Sequence, residues 1–119
     1  MNFDNTIPIY IQLVEEIKIC IISGKIKTGY KLPSVRDLAL QYKVNPNTMQ
    51  KALSELEDLK LIYTERTNGK YVTSNQELID KIKYDYAKEI TNKYFTSMEN
   101  IGLSKSDVIN YLKEIERGK

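Results

Sequence analysis

Two helix starts that lie close together in the chain constrain the fold more than any other feature. Ser34 precedes an acidic residue by three positions, and this capping box predicts a helix that begins at Val35. Asn45 is a typical N-cap residue, and Pro46 after it suits the first helical position. The first helix must therefore end near Tyr42, and a tight turn joins it to the second. Two short helices in this arrangement predict a helix-turn-helix motif.

The second of these helices has two different faces. Its apolar residues follow helical spacing and are expected to pack inward: Met49, Ala52, Leu53 and Leu56. The opposite face carries side chains that can donate hydrogen bonds to base edges or phosphates: Asn47, Gln50, Lys51 and Ser54. The acidic residues come later, at Glu55, Glu57 and Asp58. Because the N-terminal part of a recognition helix enters the major groove, this segregation favours DNA binding over an ordinary solvent-exposed face.

Basic residues cluster around this motif, although the whole chain has a net charge of only +2. Residues 24–51 contain six lysine or arginine residues and one acid, which is a local charge of +5, and the remainder carries −3. A basic block on a nearly neutral protein is typical of a phosphate-binding face. The charge alone is equally compatible with a solvated, lysine-rich surface.

A β-hairpin is predicted directly after the recognition helix. Residues 61–64 and 71–73 are rich in β-branched and aromatic side chains, and Asn68-Gly69 lies between them. A hairpin in this position is a wing. Its tip carries Arg66 and Lys70, which we expect to contact the DNA backbone or the minor groove.

Helices are also predicted on both sides of this winged motif. Pro8 opens an amphipathic helix that ends at Ser23-Gly24. After residue 74, apolar residues recur at helical spacing: Leu78, Ile79, Ile82, Tyr86, Ile90 and Tyr94. Gly102 interrupts this stripe, and a second capping box at Ser104 predicts a last short helix.

An apolar stripe on a long helix must be buried somewhere. We favour a dimer interface formed by Ile79, Ile82, Tyr86, Ile90 and Tyr94, because a two-fold dimer commonly accompanies this DNA-binding motif. Packing back onto the N-terminal domain is the alternative. The expected fold is mainly α with a small β-hairpin. Residues 1–74 form a winged helix-turn-helix domain, and residues 75–119 form a helical dimerisation or effector region.

Enzymatic function is poorly supported by the sequence. The chain has no histidine, and it has no cysteine–histidine cluster, glycine-rich phosphate loop or nucleophile elbow. We therefore expect no catalytic residues, no metal site and no cofactor. The lone Cys20 lies in an apolar stretch and is expected to be a buried structural thiol. The absence of a long apolar run or a signal-like N-terminus leads us to expect a cytoplasmic protein with no membrane partner.

Residues 7–73 resemble the GntR family of bacterial regulators. Residues 29–39 carry this resemblance with the sequence Gly-Tyr-Lys-Leu-Pro-Ser-Val-Arg-Asp-Leu-Ala, followed by Val-Asn-Pro-Asn-Thr at 44–48 and Gly-Lys-Tyr-Val at 69–72. Pro-Ile-Tyr at 8–10 and the Val-Asn-Pro-Asn-Thr stretch are similar to the YtrA subfamily. The short C-terminal region also fits that subfamily.

The resemblance implies a set of DNA-contacting residues. They are Arg36 in the second helix, Asn45, Asn47, Thr48, Gln50 and Lys51 in or before the recognition helix, and Gly69 and Lys70 in the wing. The chain departs from many relatives at three places. Pro46 and Gln50 replace arginines, so base preference cannot be transferred, and Lys60 replaces a glycine that is common at the end of the recognition helix.

These observations predict a sequence-specific DNA-binding transcriptional regulator. We expect a repressor that binds a pseudo-palindromic, double-stranded operator as a homodimer, with an unidentified small-molecule effector as a further possible partner. The alternative is a winged-helix protein–protein adaptor that does not bind DNA. Such an adaptor would give no reason for the basic block beside the recognition helix.

Overall fold

The computed structural model describes residues 1–118. Over these residues the chain forms five helices and one two-stranded antiparallel sheet, so the expected class, mainly α with a small hairpin, is confirmed. The elements are α1 (Ile9–Ile22), α2 (Val35–Tyr42), α3 (Pro46–Asp58), β1 (Ile62–Glu65), β2 (Gly69–Val72), α4 (Gln76–Asn100) and α5 (Lys105–Glu116).

The chain divides into two compact units, Met1–Ile82 and the residues from Lys83 onward. The sequence placed the division after residue 74, whereas the first turns of α4 belong to the first unit. Ile79 in those turns is buried, with 2% of its surface exposed. No helix within residues 1–118 is long and apolar enough to cross a membrane.

The core of the first unit lies around α3. Helices α1 and α2 both pack against α3, and β1 lies against it as well. The fully buried side chains come from α1, α3 and the hairpin: Leu13, Ile21, Met49, Leu53, Leu56, Leu61, Ile62 and Val72. Cys20 is buried beside this core, and that burial raises the pKa of its thiol. The thiol is therefore largely protonated at neutral pH, as expected of a structural cysteine.

The helix-turn-helix geometry follows from the predicted caps. Ser34 Oγ accepts a hydrogen bond from the Asp37 N–H at 3.1 Å, and Asn45 Oδ1 accepts one from the Asn47 N–H at 2.7 Å. Lys43 ends α2 in the left-handed conformation, with φ of 57°. Of the two hydrogen bonds in the predicted capping box of α2, only the one to Ser34 Oγ is formed. Within the described residues, the Ser34 N–H makes no reciprocal bond to the Asp37 carboxylate. The one cap bond is sufficient to start the helix at Val35.

The wing differs slightly from its expected strands. The register pairs Ile62 with Val72 and Glu65 with Gly69, so a three-residue turn at 66–68 closes the hairpin. Both strands thus extend farther toward the tip than 61–64 and 71–73. Gly69 lies at the start of β2 with φ of +100°, a conformation that L side chains rarely adopt. The conformational freedom of Gly69 thus determines where the turn ends.

The second unit contains most of α4 and all of α5. Gly102, with φ of +91°, ends α4, and the Leu103 N–H donates to the Met98 carbonyl at 3.0 Å. Ser104 and Asp107 form the complete predicted capping box of α5. Val108 is fully buried, whereas the other residues of α5 are exposed.

Candidate nucleic-acid interface

Helix α3 exposes the polar face that the sequence predicted. Asn47, Gln50, Lys51 and Ser54 are exposed, and Thr48 is half-buried. Met49, on the opposite face, has no exposed surface. The inner and outer faces of the recognition helix are therefore assigned as expected.

Asn45 and Gln50 already make side-chain hydrogen bonds at α3. The Asn45 side-chain oxygen Oδ1 caps the helix by accepting from the Asn47 N–H, so its side-chain NH2 group is not used in the cap. Gln50 Nε2 donates to Ser54 Oγ at 3.4 Å, a long bond between exposed groups. Because this bond is long and solvent-accessible, Gln50 can exchange it for a base edge at little cost.

Lys51 is positioned by the first helix. Its Nζ lies 3.9 Å from the centroid of the Tyr10 ring, within the distance of a cation–π interaction. Tyr10 is half-buried at the start of α1. The ring therefore holds the ammonium beside the first turn of α1. No pattern in the sequence pairs these two residues.

Arg36 lies exposed in the first turn of α2 and makes no ion pair with another residue of the described chain. Arg66 lies exposed in the turn of the wing, where Asn68 Nδ2 donates to Glu65 Oε2 at 3.3 Å. Both guanidinium groups are available for a phosphate.

Lys70 has a different environment from the one expected. Its ammonium forms an ion pair with Glu57 of α3 and donates to Thr64 Oγ1 at 2.9 Å. Thr64 in turn donates to Glu57 Oε1 at 2.6 Å. Partial burial raises the pKa of Glu57, but the hydrogen bonds from Lys70 and Thr64 and the charge of Lys70 outweigh it and lower the pKa overall. The Lys70 side chain therefore links the wing to α3 through an ion pair.

A cleft of about 570 Å³ lies between the start of α2 and the wing. Lys31 and Lys70 line it together with Ser34, Thr64 and Asn68, and none of its lining residues is acidic. Lys31 belongs to the basic block, but the sequence did not single it out, because only the fold places residue 31 beside the hairpin. No group of three or more metal-ligating side chains occurs in residues 1–118.

The residues expected at a dimer interface differ in exposure. Ile79 is buried by the chain itself, so it does not offer free surface. Ile82, Tyr86 and Tyr94 are half-buried, and Ile90 is 52% exposed. Helix α5 and the turn before it expose further large apolar side chains: Ile101, Ile109, Tyr111, Leu112 and Ile115. The amphipathic pattern of α5 was visible in the sequence, but its exposure was not.

Comparison with known proteins places these features in context. Residues 9–72 match the family described as bacterial regulatory proteins, gntR family. The HTH-type transcriptional repressor YtrA of Bacillus subtilis is 35% identical over 91% of this chain and 84% of its own length. A GntR family transcriptional regulator from Listeria monocytogenes has a similar structure, with a TM-score of 0.87 and 40% identity over 94% of this chain and 98% of that chain.

A second similar structure is described as a complex with an operator. It is AraR(DBD) in complex with operator ORR3, with a TM-score of 0.54 and 32% identity over 61% of this chain and 88% of that chain. The expected winged helix-turn-helix fold is thus shared with proteins described as transcriptional regulators.

Proposed function

The chain belongs to the gntR family of bacterial regulatory proteins, and we propose that it represses transcription by binding a pseudo-palindromic operator as a homodimer. It is a transcriptional regulator with a DNA-binding domain, like the relatives described above. The proposal adds sequence-specific binding, repression and two-fold assembly to this description. It includes no catalytic step, and its site of action is the cytoplasm, where bacterial DNA lies.

The outer face of α3 carries the proposal. Its N-terminal half exposes Asn47, Gln50 and Lys51 with no acidic side chain among them, and the acids lie at the far end of the helix. Amide and ammonium groups in this position suit base edges and phosphates in the major groove. AraR(DBD), which shares this fold, is described in complex with an operator, and that supports the same docking here.

The apolar surface of the second unit supports the homodimer. Ile101 is 71% exposed, and Ile109, Tyr111, Leu112 and Ile115 are each between 43% and 49% exposed. Clustered exposed side chains of this size typically mark a surface that a partner covers. A two-fold dimer that binds successive major grooves needs its two recognition helices about 34 Å apart, and its two-fold symmetry requires a pseudo-palindromic site.

Selection of bound duplexes from a random pool tests the proposal. We expect the intact chain to enrich a sequence with two-fold symmetry and to sediment as a dimer at micromolar concentration. Binding should weaken by roughly 0.9 log units per log unit of salt for each phosphate contact. A reporter promoter that overlaps the selected sequence should lose expression when the chain is present. If no duplex sequence is enriched and DNA retention does not vary with salt, the protein–protein adaptor function is favoured and the proposal is overturned.

A further inference from the structure

We propose that Lys31 binds a DNA phosphate in the cleft between α2 and the wing, and that Lys70 beside it serves mainly to hold the wing in place. This inference rests on the proposed function, because it assigns one residue of the same DNA interface. It adds Lys31 to the contacts implied by the family resemblance, and it assigns to Lys31 the phosphate contact that was expected of Lys70.

The backbone fixes Lys31 against the wing. Residue 31 forms an isolated antiparallel bridge with Tyr71, and the Leu32 N–H donates to the Lys70 carbonyl at 2.8 Å. On the other side of this bridge, the Val72 N–H donates to the Tyr30 carbonyl at 2.9 Å. The segment around Lys31 therefore lies along β2 like a third strand. A lysine anchored by its backbone loses less freedom when it binds than one on a flexible loop.

The side chain of Lys31 runs along the outer side of the hairpin. A Cβ atom added to Gly69 would lie 3.7 Å from Lys31 Cε, so the lysine stem passes close to the glycine backbone. Lys31 is exposed, and it forms no ion pair or hydrogen bond through its ammonium with any of the described residues. Its charge is therefore available to an anion.

Lys70 lacks this freedom although it lines the same cleft. Its ammonium is bound to Glu57 and Thr64, and its side chain is only 16% exposed. A phosphate that recruited Lys70 would have to displace a carboxylate and leave Glu57 without its cation. Since removing one partner from a partly buried ion pair is costly, Lys31 is the more favourable ligand.

The surroundings of Lys31 also favour an anion. The cleft of about 570 Å³ has no acidic lining residue, and it opens beside the first turn of α2. Because Lys70 is paired with Glu57, Lys31 is the lining lysine whose charge is not compensated within the described residues. The cleft lies between the wing, which is expected to contact the DNA backbone, and the first turn of α2, where Arg36 is exposed. When α3 enters the major groove, the anion closest to this cleft is therefore a DNA phosphate.

Salt titrations with the duplex selected by the intact chain test this assignment. Lys31→Ala should weaken binding alike on all duplexes and lower the salt slope by about 0.9 for each bound subunit, whereas Lys31→Arg should retain the slope. Lys27→Ala is the matched control, because it removes an exposed lysine of the same basic block that does not line the cleft. Circular dichroism melts of all variants verify folding.

The outcomes separate this assignment from the proposed function. An unchanged slope in Lys31→Ala, or an equal loss in Lys27→Ala, would overturn the assignment while DNA binding by the intact chain stands. Loss of slope in Lys70→Ala equal to that in Lys31→Ala would overturn the division of roles between the two lysines. If the intact chain retains no duplex at all, the proposed function fails and the assignment fails with it.

Discussion

The Glu57 carboxylate near the end of the recognition helix binds the Lys70 ammonium of the wing, and Thr64 Oγ1 donates to the same carboxylate oxygen. This small network links α3 to the wing, the two elements whose relative position matters for the proposed contact with DNA. Because the network lowers the pKa of the Glu57 carboxylate, its contribution to stability depends on pH and can be measured.

Glu57→Gln should lower the free energy of unfolding by about 1 kcal/mol at neutral pH, because Lys70 loses its charged partner. The hydrogen bonds and charge of Lys70 hold the pKa of Glu57 below its usual value of 4.5 in the folded state. The stabilisation is therefore complete above pH 4.5, and it is lost as the pH falls through the folded-state pKa. Urea unfolding at several pH values measures it.

Glu55→Gln is the control for this prediction. Glu55 lies exposed on the same helix and forms no ion pair within the described chain, so its substitution should change stability little. An effect of Glu57→Gln that is equally large at pH 3 and pH 7 would show that the ion pair is not its cause.

Lys60→Gly should stabilise the protein by about 0.5–1 kcal/mol. Lys60 has φ of 65°, the left-handed conformation, which costs a residue with a Cβ atom about 1–2 kcal/mol. Glycine removes this strain but gains freedom in the unfolded chain, so part of the benefit is lost. Thermal melts should show a higher Tm for Lys60→Gly. Lys60→Ala removes the charge and keeps the Cβ atom, so a similar rise there would contradict the role of strain.

Tyr10→Leu should weaken DNA binding, because Lys51 would lose the ring that positions its ammonium. A partly exposed cation–π contact contributes about 0.5–1 kcal/mol to ordering the Lys51 side chain, so the loss of affinity should not exceed roughly two- to fivefold. Tyr10→Phe retains the aromatic face and should bind as the parent does. Fluorescence anisotropy with the selected duplex measures both variants. If Tyr10→Phe and Tyr10→Leu weaken DNA binding equally, the Tyr10 hydroxyl group rather than its ring face is responsible for the effect.

Gln50→Ala should change base preference at about one position of each half-site. An amide that forms two hydrogen bonds with a base contributes about 1–3 kcal/mol of discrimination. Gln50 lies on the exposed face of α3, and its only bond in the described residues is the long one to Ser54. Repeated selection with the variant measures the change. Gln41→Ala, on α2, is the control and should leave the selected sequence unchanged. Identical base preferences for the parent and for Gln50→Ala would exclude Gln50 as a base contact.

Paired substitution of Ile109 and Leu112 by glutamate should convert a dimer to a monomer. The two side chains are 47% and 43% exposed on α5, so charges there cost the single chain little but would be buried between two copies. Sedimentation at micromolar concentration measures the change, and operator affinity should fall with it. Asn110→Glu places a charge at an exposed polar position of the same helix and should leave the assembly intact. A dimer that survives the paired substitution would locate the interface elsewhere.

The local signals of the sequence were sufficient for the winged motif. The caps at Ser34 and Asn45, the two faces of α3 and the order of helices and hairpin depend on residues a few positions apart. Caps and amphipathic spacing act within one or two turns, so a single sequence contains the information. The capped α5 was predictable for the same reason.

Only the tertiary structure decided which lysine side chains have a partner within the protein and which do not. Lys51 lies over Tyr10 of another helix, Lys70 is paired with Glu57, and Lys31 lies beside a hairpin distant in the sequence. These relations require elements that the chain brings together only when the core around Met49 and Leu53 packs. The sequence by itself determined where the basic residues cluster, and the long-range packing determined which of them can neutralise a phosphate.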